Sequence, residues 1–235
     1  MVIKGLQKTT LLDYPGKVAA TVFLGGCNMR CPFCHNMDIV KPDIEDEGDY
    51  SVSEILDFLK SRKGILDGVC ITGGEPTINP DLPDFIARVK ELGYSVKLDT
   101  NGTNPDMVKS LVQNGLIDYV AMDIKSSPAM YEAASGTDGI KLVNIKETVD
   151  YLIGVKSGDF DYEFRTTVVD AFHNREVMED IGKLIKGAGK YYLQGFVDSE
   201  YVPDHSLKEV SKEELSEFVK IMSAYVKKAE IRGVE

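Results

Sequence analysis

Short apolar runs alternate with amphipathic stretches along this chain. Residues 18–24 (VAATVFL) form a continuous apolar run that ends in Gly25-Gly26, the pattern of a buried strand. Ser51 or Ser53 then heads a stretch in which Val52, Ile55, Leu56 and Leu59 recur at i, i+3, i+4 and i+7, the period of a helix with one apolar face. The alternation repeats. Residues 68–72 predict a strand before a glycine-rich turn, and residues 82–92 a helix stopped at Gly93. A strand over 95–99 precedes a helix over 105–113 that opens on proline, where a missing N–H is no loss. Residues 119–124 predict a strand, 130–153 two helical pieces, and 162–169 a strand rich in Phe, Thr and Val. Val177, Met178, Ile181, Leu184, Ile185 and Ala188 share one helix face, and residues 191–197 give a sixth strand. Leu215, Phe218, Val219, Met222, Tyr225 and Val226 stripe a last helix over about 211–230. These stripes read as core.

Six strands alternating with helices imply an α/β fold, with parallel strands joined by right-handed crossovers. Chemistry in such folds sits at the C-terminal ends of the strands. The polar clusters obey that rule: 25–35, 72–76, 99–102 and 123–125 each follow a strand in turn. The core spans about 18–197, within one domain over 1–235.

Composition narrows the classes. A chain of 235 residues, 43% hydrophobic and 28% charged, is ordinary for a globular protein. No apolar run approaches the roughly 20 residues of a membrane span, and the first residues lack a signal-peptide core, so a cytoplasmic location and no membrane partner are expected. The acidic stretch 43–49 reads as solvated linker. A net charge of −11 with scattered Lys and Arg argues against a nucleic-acid partner.

Three of the four cysteines fall within eight residues, which suits metal binding better than a disulfide framework. The fourth, Cys70, stands in an apolar run and reads as a small buried core residue. Cys27, Cys31 and Cys34 form a C-x3-C-x2-C loop. Three thiolates leave one iron of a four-iron cubane open to an outside ligand, whereas electron carriers ligate all four irons with cysteine. Structural zinc with His35 as a fourth ligand is the alternative, though adjacent Cys34 and His35 fit one tetrahedral ion poorly.

The loop, in the wording Gly25-Gly26-Cys27-Asn28-Met29-Arg30-Cys31-Pro32-Phe33-Cys34-His35-Asn36, resembles the radical S-adenosylmethionine (SAM) superfamily. Its Cys-His-Asn ending looks like the glycyl-radical-enzyme activase branch. The lead-in Thr10-Leu11-Leu12-Asp13-Tyr14-Pro15-Gly16 is most similar to that of the activases of anaerobic ribonucleotide reductase. The likeness runs to about Phe196 and is strongest over 12–36.

The resemblance implies a partial (β/α)6 TIM-like barrel with parallel strands, whose open side admits a partner's glycine loop. It implies a [4Fe–4S] cluster on Cys27, Cys31 and Cys34 that cleaves SAM reductively to a 5′-deoxyadenosyl radical. It further implies a hydrogen taken from a backbone glycine of a partner enzyme, with flavodoxin or ferredoxin as electron donor. Phe33 matches an aromatic that supports the adenine of SAM, or else only packs the loop. Thr72-Gly73-Gly74-Glu75-Pro76 resembles the motif that holds the SAM amino group, its glycines permitting close approach and its carboxylate accepting from an ammonium. Asp99-Thr100-Asn101-Gly102 lines the SAM site in that branch, unless it is only a turn. Asp123-Ile124-Lys125 resembles an Asp-x-Lys whose lysine meets the SAM carboxylate, or else is a buried ion pair. Positions matching Asp99, Thr100 and Asp123 can hold a monovalent cation there. Arg165 is expected to point inward toward a carboxylate. Gln194 stands where some relatives carry an adenine-touching histidine, and His173 reads as a helix-start residue. No second cluster can form from the chain's own cysteines. Two rival readings stand beside the activase: a radical SAM enzyme acting on a small molecule or RNA base, and a non-catalytic zinc or iron–sulfur module.

Overall fold

The computed structural model describes residues 1–40, 49–156 and 158–233. Of the expected acidic linker, all but Asp49 lies outside the described residues. The chain forms one eight-stranded sheet in sequence order: β1 (Ile3–Thr10), β2 (Ala19–Leu24), β3 (Gly68–Gly73), β4 (Ser95–Thr100), β5 (Tyr119–Asp123), β6 (Asp161–Val168), β7 (Tyr191–Gly195) and β8 (Ala229–Arg232). β1 runs antiparallel to β2, and every later pairing is parallel. β1 and β8 are the two edges, so the barrel stays open.

The sheet therefore has two strands beyond the six expected. β1 (IKGLQKTT) is a polar edge strand with no alternation to mark it. β8 lies where the last helix was expected to continue. That helix, α8 (Lys212–Met222), ends earlier. The stripe residues Tyr225 and Val226 belong instead to the turn into β8, where the Tyr225 carbonyl accepts from the Gly187 N–H at 2.9 Å.

The other helices follow the expected pattern, except that the first, directly after the cysteine loop, was not expected. They are α1 (Met37–Val40), α2 (Val52–Ser61), α3 (Leu82–Glu91), α4 (Pro105–Gln113), α5 (Tyr131–Ser135), α6 (Leu142–Gly154) and α7 (Arg175–Leu184). Ser51 caps α2 with a reciprocal Ser51–Glu54 box, which settles the choice between Ser51 and Ser53. The two faces of the sheet differ. Outward residues such as Val22, Ile71, Leu98, Val120 and Leu193 join the apolar core beneath the helices. Inward residues are largely polar, and they carry the site.

Candidate active site

The cysteine loop leaves β2 and is docked by backbone bonds. Gly26 donates to the Ile39 carbonyl at 2.9 Å, and Arg30 to the Ser135 carbonyl at 2.9 Å. α5 ends on Gly136 in the left-handed conformation, and a Cβ there would lie 2.0 Å from the Arg30 carbonyl oxygen. Only glycine lets this helix end meet the loop.

The three cysteines line one cavity, of about 260 Å³, at the C-terminal ends of the strands. None is in a disulfide. The Met29 and Asn36 N–H groups point at the sulfurs of Cys27 and Cys34, each at 3.4 Å, as suits thiolates. Burial pushes the Cys27 thiol up to about 11 and raises Cys31 and Cys34, with Lys125 acting against burial at all three. Iron must therefore displace protons when it binds. His35 lines the same cavity and also lies against Phe196 and Ser199, its ring 5.8 Å from the Phe196 ring. Among the described residues no three His, Cys, Asp or Glu side chains gather tightly enough for a single ion. Three cysteines on one cavity, with N–H groups aimed at two of the sulfurs, suit a cluster.

The Gly-Gly turn at the end of β3 packs tightly on the strand end of β2 as well as facing the cavity. A Cβ on Gly73 would sit 2.2 Å from the Leu24 carbonyl oxygen, and one on Gly74 1.9 Å from that of Gly26. The close approach is to the backbone leaving β2, with Gly74 N–H donating to Leu24 at 2.9 Å. Glu75, 1% exposed, is absent from the cavity wall, as is Pro76. Its carboxylate accepts from the Thr77 N–H (3.0 Å) and hydroxyl (2.5 Å), the Thr100 hydroxyl (2.7 Å) and the Asn101 N–H (2.6 Å). Burial raises the Glu75 carboxyl, and these donors pull it back. Glu75 therefore organises 77 and 100–101, while the backbone of Gly73 and Gly74 faces the cavity. Asn36 fixes that edge by donating to the Gly73 carbonyl at 2.9 Å.

Asp99, Thr100, Asn101, Asp123, Lys125 and Arg165 all reach the cavity wall. Arg165 points inward as expected, and its Nε meets Asp123 at 2.9 Å while Nη1 meets Asp99 at 3.3 Å. Lys125 Nζ lies 3.1 Å from the other Asp123 oxygen. Burial alone would raise the Asp123 carboxyl, but Arg165 and Lys125 overcome it and hold it at about 2. Asp99, Asp123 and Thr100, on which a monovalent cation was expected, all make contacts within the chain. The guanidinium of Arg165 already bridges the two carboxylates, and Thr100 turns to Glu75. Asn101 ties the cysteine loop to this strand end by donating to Asn28 at 2.9 Å.

Phe33 is buried, lines the cavity and packs on Phe172 at 5.7 Å, so it can serve a ligand and the loop at once. Gln194 lines the cavity beside Thr167, which sequence reading passed over although it alternates with inward Arg165. His173 is buried just before Asn174, the cap of α7. Cys70 is fully buried, but on the inner face, 3.6 Å from Lys97 Nζ. Lys97 was also missed; its signal was its place two residues before Asp99, hence on the same face of β4.

An open, mostly parallel α/β barrel with a three-cysteine cavity at its strand ends defines the class of fold. This chain belongs to the radical SAM superfamily, whose model matches residues 21–186. Members of that superfamily use a [4Fe–4S] cluster and SAM. A protein of Methanocaldococcus jannaschii named "putative glycyl-radical enzyme activating enzyme" is 36% identical over 99% of this chain and 96% of its own length. A 7-carboxy-7-deazaguanine synthase of Thermoplasma acidophilum is 30% identical over 68% of this chain and 70% of its own. The pyruvate formate-lyase-activating enzyme of Clostridium pasteurianum is 30% identical over 52% of each. Among solved structures, TYW1 with a lysine–pyruvate adduct superposes with a TM-score of 0.62 over 88% of this chain and 73% of that one, at 16% identity. That likeness concerns the fold alone.

Proposed function

We propose that this chain is a glycyl-radical-enzyme activase, with an anaerobic ribonucleotide reductase as its partner and flavodoxin or ferredoxin as electron donor. The observation that carries the activase reading is the likeness to the M. jannaschii protein along nearly the whole of both chains, and the lead-in over 10–16 suggests the partner. The Cys-His-Asn wording at Cys34-His35-Asn36 supports it.

In this reading Cys27, Cys31 and Cys34 hold the cluster. Once bound, the cluster and SAM supply the radical that removes a glycine hydrogen. The chain's own groups bind and orient. The backbone edge at Gly73 and Gly74 would accept from the SAM amino group, and Lys125 would meet its carboxylate. Phe33 and Gln194 would serve the adenine end. The open gap between β1 and β8 leaves an entry for a glycine-bearing loop.

A second reading, a radical SAM enzyme acting on a purine-like small molecule, draws on the match to the deazaguanine synthase over two thirds of both chains. The two separate in one assay. Reductive SAM cleavage by the reconstituted protein is followed with and without candidate partner proteins and candidate metabolites. Stimulation by a protein supports the activase, and stimulation by a metabolite alone overturns it. Cys31→Ala should abolish SAM cleavage in either case, and retained cleavage would remove the three-cysteine site.

A further inference from the structure

Lys97 takes no part in the site as built above. It lies on β4, is 2% exposed and does not line the cavity. Burying an ammonium is costly unless a partner compensates it. Its partner is Asp99: Lys97 Nζ pairs with one carboxylate oxygen, while Arg165 and Thr72 reach the other at 3.3 and 3.2 Å. Arg165 in turn pairs with Asp123, and Asp123 with Lys125. The barrel interior thus carries a continuous ladder, Lys97–Asp99–Arg165–Asp123–Lys125. It alternates in sign and holds three cations to two carboxylates.

The order in the ladder matters. Asp99 and Asp123 compete for the one guanidinium of Arg165. With Lys97 on Asp99, that carboxylate is compensated from deeper in the barrel. Arg165 is then left free to engage Asp123 through its Nε at 2.9 Å. Compensating Asp123 in this way leaves Lys125, at the cavity end, with charge to spare. Without Lys97 the ladder has two cations for two carboxylates and no surplus to offer an anion.

We infer that Lys97 is a positioning residue for the SAM carboxylate: it neutralises Asp99 from below, holds Arg165 on Asp123, and so frees Lys125 to receive the ligand. It does with a side chain what a bound monovalent cation would do for a carboxylate pair. The inference rests on SAM being the ligand of this cavity.

The test uses cluster-reconstituted wild type, Lys97→Met and Lys97→Arg. SAM affinity is measured by anaerobic equilibrium dialysis in potassium salts and in salts of a bulky organic cation, and melting temperature is measured in both. Lys97→Met should bind SAM about tenfold more weakly in the organic salt, the scale for removing one unit charge from a partly screened site. Potassium should restore most of that affinity and raise the variant's melting temperature, because an ion fills the vacated place. Lys97→Arg should stay close to wild type, and wild type should ignore the choice of salt. Equal SAM binding by Lys97→Met and wild type overturns the inference, as does an affinity and melting temperature indifferent to potassium. If wild type itself binds no SAM, the cofactor reading fails instead, and the melting comparison still decides whether Lys97 stands in for an ion.

Discussion

Burial and pairing set the charge state of individual residues here. His173 is 2% exposed; its Nδ1 accepts the Val169 N–H at 3.0 Å, and its Nε2 donates to the Lys125 carbonyl at 3.0 Å. It is thus a strut between the ends of β5 and β6. Burial lowers its pKa from 6.5 to about 4. A lowered histidine favours folding while it is neutral, so this contribution is complete above pH 6.5 and lost as pH falls toward 4. Wild type should lose up to about 3 kcal/mol of stability across that window, measured by urea unfolding. His173→Gln should flatten that part of the profile. The further loss expected below the ordinary aspartate value of 3.8, where Asp123 is held at about 2, should remain. An unchanged profile between pH 6.5 and 4 would contradict the neutral, buried histidine.

Among the elements, two junctions carry more than their length suggests. The turn after β3 is pinned to the strand end of β2, and Gly74→Ala would place a Cβ 1.9 Å from the Gly26 carbonyl oxygen. Both atoms belong to rigid backbone, so the variant should lose about 3 kcal/mol and retain less cluster iron after reconstitution. Iron content and thermal melting check this together. The second junction is β8. Arg232 reaches from it to Glu163, which is 0% exposed, with contacts of 2.7 and 3.1 Å, while its guanidinium lies over the Tyr192 ring at 3.6 Å. Among the described residues, Arg232→Met leaves a buried carboxylate with only the Tyr119 hydroxyl, at 2.6 Å, as donor. The expected cost is about 2 kcal/mol or more, read from the denaturant midpoint. A neutral result would mean that β8 does not brace the lower barrel.

These same elements show what could be read from the sequence. Strands β2 to β7 were legible because their outward residues form apolar runs, and the site clusters were legible because they follow those runs. β1 was hidden because an edge strand such as IKGLQKTT has one polar face and no run. β8 was hidden because Tyr225 and Val226 extend a helical stripe past the true end of α8. The inward charges were only half legible. Arg165 was assigned inward from alternation with Phe164, whereas its bridging of Asp99 and Asp123 depends on strands brought together by the sheet. Glu75 was read as a ligand group because its motif is local, yet its donors at Thr100 and Asn101 come from the next strand end.

For the whole molecule, an open barrel carries its cysteine cavity at the C-terminal ends of the strands. No described helix is long and apolar enough to cross a membrane. In the activase reading the open side of the barrel serves a partner's backbone glycine. The most direct measurement is an EPR spectrum of the reduced, cluster-loaded protein mixed anaerobically with SAM and the host's anaerobic ribonucleotide reductase. A glycyl-radical doublet on the reductase, absent with Cys31→Ala, is the predicted result. No doublet, with 5′-deoxyadenosine still formed, would contradict the activase and leave a radical SAM enzyme whose substrate lies elsewhere.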